Sequence, residues 1–162
     1  YLSLVAKKTG SLYRASAVAG GIVGGASEQE LARLSSFGEK VGQAFQIVDD
    51  ILGAAGDPKL TGKPVGSDLR NGKPTMIVLH GVKNSSPEER AAILKVFGKQ
   101  DAPEKDVLEA LKALEKAGSI SYGRERAIEI SEEAKAELGR FPDSKSKVSL
   151  QKFCEFVVSR VY

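Results

Sequence analysis

Asp49 and Asp50 stand side by side after an apolar run, and Lys59, Lys63 and Lys73 follow in a stretch punctuated by glycine and proline. From Phe45 to Thr75 there is no histidine or cysteine. An oxygen-only donor set suits a hard cation such as Mg²⁺ rather than zinc. Mg²⁺ keeps several waters and takes one or two carboxylates together with substrate phosphates, which matches two adjacent aspartates. Lys63 lies between Gly62 and Pro64, and Lys73 between Gly72 and Pro74. Those flanks fix the backbone and let it approach a ligand closely. Lysine then supplies a point charge for phosphate oxygens. Together the acids and lysines imply a Mg²⁺–diphosphate site. Taken alone, the acid pair also reads as a solvated helix end, and Lys59 as a solvated loop lysine. Against the solvated reading, acids near a helix C-terminus oppose the macrodipole and cost a few tenths of a kcal/mol each. Neither G-x-x-x-x-G-K-[ST] nor G-x-G-x-x-G occurs, so the phosphate loops of nucleotide-binding folds are excluded.

Other residues carry weaker signals. Lys8 and Thr9, within KKTG at 7–10, interrupt a helical pattern. They read either as a kink or as a phosphate contact. His80 lies in an apolar helical stretch and reads as a packed or surface residue. Cys154 sits in the apolar run Phe153 to Val158 and reads as a buried, inert thiol. The small residues of AVAGGIVGGA, from Ala17 to Ala26, permit close helix packing or line an apolar pocket.

The elements that must position these groups are helices, because strand signals are almost absent. Helical stretches are expected over 1–7 and 12–23. Ser27 and Glu30 form a capping-box pattern that opens the next helix. In it Leu31, Leu34, Gly38, Val41, Phe45, Val48 and Leu52 recur at steps of three and four, an inward stripe of about six turns. Gln46, Asp49, Asp50 and Gly53 lie about a quarter turn from the stripe's centre, with Asp49 at its border. A long loop is expected from Gly53 to Lys73, of a length usually functional or disordered. Further helices are expected over 76–82, from Pro87 to about Phe97, and over 103–117, 121–139 and 148–161. Glu88, Glu89 and Arg90 read as first-turn surface charges.

With 162 residues, 41% hydrophobic and 28% charged, the composition is that of one globular domain or a piece of a larger one. A net charge of +3, spread along the chain, gives no case for nucleic acid. One cysteine excludes an intrachain disulfide and any multi-cysteine zinc site. No run of about 18 apolar residues argues for membrane insertion. The chain opens with Tyr1 inside a helical pattern, so further sequence is expected before it.

Three segments carry a family resemblance. FQIVDDILGAAGDPKLTGKPVGSDLRNGKPT closely resembles the second aspartate-rich region of trans-isoprenyl diphosphate synthases, such as farnesyl and geranylgeranyl diphosphate synthases. KKTGSLYRASAVAGG resembles the Lys-Thr segment that precedes it there. FCEFVVSRVY resembles the closing helix, with Arg160 alone matching its basic residues. The resemblance covers the whole chain and implies an all-α antiparallel bundle around a central cavity. Residues 1–162 would be the C-terminal half of that single domain. It implies a Mg²⁺-dependent prenyltransferase condensing an allylic diphosphate with isopentenyl diphosphate, in a cytoplasmic homodimer without stable membrane insertion. Lys8, Thr9, Gln46, Lys63 and Lys73 would bind the allylic diphosphate. Lys8, Thr9, Asp49 and Lys63 would be catalytic. Asp49 would ligate Mg²⁺, with Asp50 ligating directly or through water, and Asp68 would support the loop lysines or a metal-bound water. Gly53 departs from the frequent D-D-x-x-D pattern. The first aspartate-rich motif and the isopentenyl diphosphate site belong to the family's N-terminal half and are not in this chain, so the chain alone is expected to be inactive and to expose apolar surface. Two rivals share the fold: a non-catalytic partner subunit and a terpene cyclase.

Overall fold

Residues 1–55 and 66–160 are described in the computed structural model. The described residues are 82% helical, with no strand among them. The longest helix starts as its sequence dictates. Ser27 N–H donates to Glu30 Oε2 at 2.8 Å, and Glu30 N–H donates to Ser27 Oγ at 3.4 Å, so each residue satisfies a backbone donor at the helix start.

The elements in order are α1 (Leu2–Val5), a π-helical turn (Ala6–Gly10), α2 (Ser11–Val23) and α3 (Glu28–Ala55). Then come α4 (Ser67–Arg70), α5 (Met76–Asn84), α6 (Pro87–Val96), α7 (Glu104–Lys116) and α8 (Ser119–Glu137). A 3₁₀ turn (Leu138–Arg140) and α9 (Lys145–Ser159) complete the chain. They form two compact units, one of residues 1–46 and 126–160, the other spanning 47–125.

In the first unit Val5, Phe37, Val41, Ala44, Ala127, Ile130, Ala134, Leu138, Cys154 and Val157 are the buried apolar residues. α2 crosses α3 at backbone distance. A β-carbon on Gly38 would stand 2.7 Å from Tyr13 O, and one on Gly42 would stand 2.6 Å from Gly10 Cα. Only glycine permits so close a crossing. α2 buries none of its residues, leaving Leu12, Ile22 and Val23 exposed. Glu137 joins three neighbours: Ser36 and Lys40 donate to its Oε1 at 2.7 and 2.9 Å, and Arg33 lies 3.7 Å from its Oε2.

The second unit packs Ile47, Ile51, Leu69, Ile77, Ile93, Val96, Val107 and Leu114 into its core. Ser86 and Glu89 form a second reciprocal cap at the start of α6, and Lys116 bridges to Glu89 at 2.7 Å. Glu89 is therefore a capping residue rather than a solvated charge, and its S-x-x-E spacing matches that of Ser27 and Glu30. His80 packs as expected: its ring stacks on Tyr122, centroids 4.3 Å apart, and its Nδ1 lies 3.2 Å from the buried Ser119 Oγ.

Cys154 is 1% exposed, and burial pushes its thiol up to about 11 from an ordinary 9.0. Between these values the folded chain keeps a proton that the unfolded chain has lost. Its stabilising contribution is therefore full below pH 9.0 and declines as pH rises toward about 11. A thiol reagent near neutral pH is expected to leave Cys154 unmodified in the folded protein and to label it readily in denaturant. Rapid labelling of the folded protein would show the site to be open.

Candidate functional site: paired acids and a lysine turn

The Lys-Thr segment does not interrupt the helix. It widens into a π-helical turn, Ala6–Gly10, that leads directly into α2. Single π turns inside helices are frequent at functional sites. The glycine contact with α3 holds this turn in place, and Thr9 Oγ1 donates to Gln46 Oε1 at 2.8 Å. That bond links two of the candidate residues and turns the Gln46 amide nitrogen away from Thr9. Lys8 is exposed on the same turn. Just before Gln46, Phe45 packs on Tyr13 with centroids 5.6 Å apart. The Arg160 guanidinium lies 3.7 Å from the Phe45 ring centroid and donates to the Phe45 carbonyl at 2.6 Å. Burial pushes the Tyr13 hydroxyl above its usual range, with Arg160 opposing.

In the second unit, α3 runs past the acids to Ala55, instead of ending near Leu52 as the sequence suggests. Ala54 and Ala55 are strong helix formers, and Ala54 is buried. The acids thus lie more than a turn from the helix end, where the macrodipole has largely faded. Burial takes the place of that argument. Asp50 is 5% exposed, whereas Asp49, expected at the interior border, is half-buried. A buried carboxylate is costly unless a positive charge compensates.

The start of α4 and the turn after it supply such a charge. Gly72 adopts a left-handed φ of 64°, Gly72 N–H donates to Leu69 O at 3.0 Å, and Lys73 N–H donates to Asp68 O at 3.0 Å. These paired bonds are a Schellman helix ending, and Gly72 is the residue type it favours. The turn brings Lys73 Nζ to 2.5 Å from Asp68 Oδ1. The hydrogen bond to Asp68 pushes the Lys73 ammonium above its usual range, against some desolvation, and Asp50 and Asp49 add to the rise. Asp68 is itself buried at 7% exposure, and its carboxylate lies against Gly53. Sequence reasoning undervalued Asp68, although D-L-R-N-G-K carries the signal of a helix closed by glycine.

The structure therefore pairs Thr9 with Gln46 in one unit, and gathers Asp49, Asp50, Asp68 and Lys73 in the other. Lys63, like Lys59, lies outside the described residues. Among the described residues no group of three or more His, Cys, Asp or Glu could hold a metal by itself. The donor set at Asp49 and Asp50 is two adjacent carboxylates, which fits Mg²⁺ that completes its shell with water and phosphate oxygens.

Residues 1–114 match the polyprenyl synthetase family. The chain belongs to that family. It is 39% identical over 163 residues to a geranylfarnesyl diphosphate synthase of Aeropyrum pernix, covering 99% of this chain and 50% of that one. The crystal structure of a Pyrococcus horikoshii geranylgeranyl pyrophosphate synthetase superposes with a TM-score of 0.89 at 43% identity, over 99% of this chain and 48% of that one. A Caulobacter crescentus polyprenyl synthase, solved with calcium and isoprenyl diphosphate, superposes with a TM-score of 0.92 at 30% identity, over 100% of this chain and 49% of that one. The chain thus spans about half the length of the relatives it matches, and its all-α fold is of the isoprenyl synthase type. Among the described residues no helix is long and apolar enough to cross a membrane.

Proposed function

We propose that this chain carries the allylic-diphosphate half of a prenyltransferase that joins an allylic diphosphate to isopentenyl diphosphate. The product is a longer trans-prenyl diphosphate, and the parent enzyme is a cytoplasmic homodimer. The observation that carries the proposal is the order of groups on α3: Gln46, hydrogen-bonded by Thr9, is followed one turn later by Asp49 and Asp50. The calcium and isoprenyl diphosphate bound in the Caulobacter crescentus relative support it.

Lys8, Thr9, Gln46, Lys63 and Lys73 bind the allylic diphosphate, and Asp49 and Asp50 hold Mg²⁺. When bound, Mg²⁺ supplies Lewis-acid stabilisation of the diphosphate oxygens. The allylic C–O bond breaks and its electron pair leaves with the diphosphate. Lys8, Lys63 and Lys73 stabilise the negative charge that grows on those oxygens. Thr9, with the dipoles of the π-helical turn, faces the developing allylic cation. The double bond of isopentenyl diphosphate donates its electron pair to form the new C–C bond. The resulting cation then loses a proton to the released diphosphate.

The test is to incubate the intact enzyme with an allylic diphosphate, labelled isopentenyl diphosphate and Mg²⁺. Label is expected in a chain-extended diphosphate, and a chelator is expected to abolish it. Release of a cyclic hydrocarbon without incorporation would assign a cyclase instead. Absence of turnover combined with stimulation of a second synthase would assign a partner subunit.

A further inference from the structure

The face of α3 that carries Asp49 and Asp50 continues, one turn on, at Gly53, four residues after Asp49 and three after Asp50. That position is not empty. A β-carbon there would stand 2.5 Å from Asp68 Oδ2 and 3.1 Å from Asp68 Cγ, so the Asp68 carboxylate occupies the space that any other residue's side chain would need. The carboxylate's other oxygen meets the Lys73 ammonium. The Asp68 side chain is 11% exposed and that of Lys73 is 53% exposed, so an open-ended lysine is anchored on a nearly buried acid.

We propose that Gly53 and Asp68 act as one device: the missing side chain at residue 53 seats a carboxylate from α4 against α3, and that carboxylate is the positioning residue for Lys73. The proposal rests on the reading above that Lys73 binds diphosphate. A free lysine has many rotamers open to it and loses that freedom when it grips a ligand. Asp68 confines that ammonium beforehand, and the Schellman turn fixes the spacing of the two residues. The carboxylate is itself neutralised by the ion pair, so it adds little repulsion toward an incoming diphosphate. Gly53 acts through Asp68, because Asp68 Oδ2, Cγ and Oδ1 are the three nearest atoms that its side chain would meet among the described residues.

The experiment is a double-mutant cycle in the intact protein, read as the Kd of inorganic diphosphate in the presence of Mg²⁺ by titration calorimetry. Circular dichroism is used to confirm folding. Asp68→Ala and Gly53→Ala are each expected to weaken binding by about five- to tenfold, a free-energy change near that of one tenfold step. In the Asp68→Ala background, Gly53→Ala is expected to have no further effect. Both variants are expected to raise KM for the allylic diphosphate and leave KM for isopentenyl diphosphate unchanged, a selectivity that general loosening of the fold would not give. Additive effects, or tighter binding by Asp68→Ala, overturn the proposal. Lys73→Ala separates the two readings. If it weakens diphosphate binding while the other two variants do not, only the Gly53–Asp68 device fails. If it has no effect, the assignment of Lys73 and the device built on it fail together.

Discussion

Replacing Asp49 by alanine in the intact enzyme is expected to lower kcat/KM for the allylic diphosphate by roughly 10²- to 10³-fold. Losing a carboxylate that holds Mg²⁺ against the leaving diphosphate removes on the order of 3–4 kcal/mol of transition-state stabilisation, and each 1.4 kcal/mol is about tenfold. Asp49 is half-buried and lies outside the apolar core, so the melting temperature is expected to change little. Asp50→Ala is a less clean probe, because Asp50 is 5% exposed and its removal changes packing together with charge. The assay is run at limiting and at saturating Mg²⁺. A near-normal rate for Asp49→Ala at limiting Mg²⁺ would remove this residue from the metal site and leave the acid pair as a structural feature of α3.

The crossing of α2 and α3 gives a second large effect, this time on stability. Gly42→Val places a branched side chain where Gly10 Cα lies 2.6 Å from the β-carbon position. The obstruction is backbone, so no rotamer relieves it and the helices must part. Overpacking of this kind costs about 3 kcal/mol, and at about 2–4 °C per kcal/mol the melting temperature is expected to fall by roughly 6–12 °C. Moving the π-helical turn also separates Thr9 from Gln46, so diphosphate affinity is expected to fall with stability. Gly20→Ala is the opposite case. Among the described residues nothing lies within 4 Å of its β-carbon position, and the site is an exposed helix interior. Alanine there is expected to stabilise by about 0.5–1 kcal/mol. If the two substitutions shift the melting temperature in the same direction, close backbone approach does not govern the first.

Much of this was legible in the residues. The S-x-x-E cap at Ser27 and the burial of Cys154 follow from local chemistry, because caps and apolar runs act over a few residues. The inward stripe of α3 was legible only in part: Val41 and Val48 are buried, but Leu31, Leu34, Phe45 and Leu52 are half-buried, and Phe37, Ala44, Ile47 and Ile51 take the core positions. The end of α3 was not legible. Gly53 reads as a breaker, and only the carboxylate of Asp68, fifteen positions later in sequence, shows why a glycine sits inside the helix. Such a contact has no local signature. The Lys-Thr segment was half legible: a disturbance was expected at Lys8 and Thr9, but a kink and a widened turn leave the same mark on hydrophobic periodicity. The bond from Thr9 to Gln46 spans 37 positions and lies equally beyond local rules.

The widened turn at Ala6–Gly10 also bears on how this sequence is free to drift through evolution. A π-helical turn is an α-helix that carries one residue more than its pitch requires. Deleting any single residue there would let the segment relax into an ordinary α-helix, with no break in the chain and no lost cap. Five residues of a π turn sweep about the same rotation as four of an α-helix, so everything on its N-terminal side would keep nearly its present orientation about the helix axis. Val5, 4% exposed, would stay at its core position. What such a deletion removes is the bulge that carries Lys8 and Thr9, and with it the bond from Thr9 to Gln46. A deletion there is therefore expected to leave the fold standing and to be felt in ligand binding. At this turn the extra residue is kept for what it presents, and not for stability.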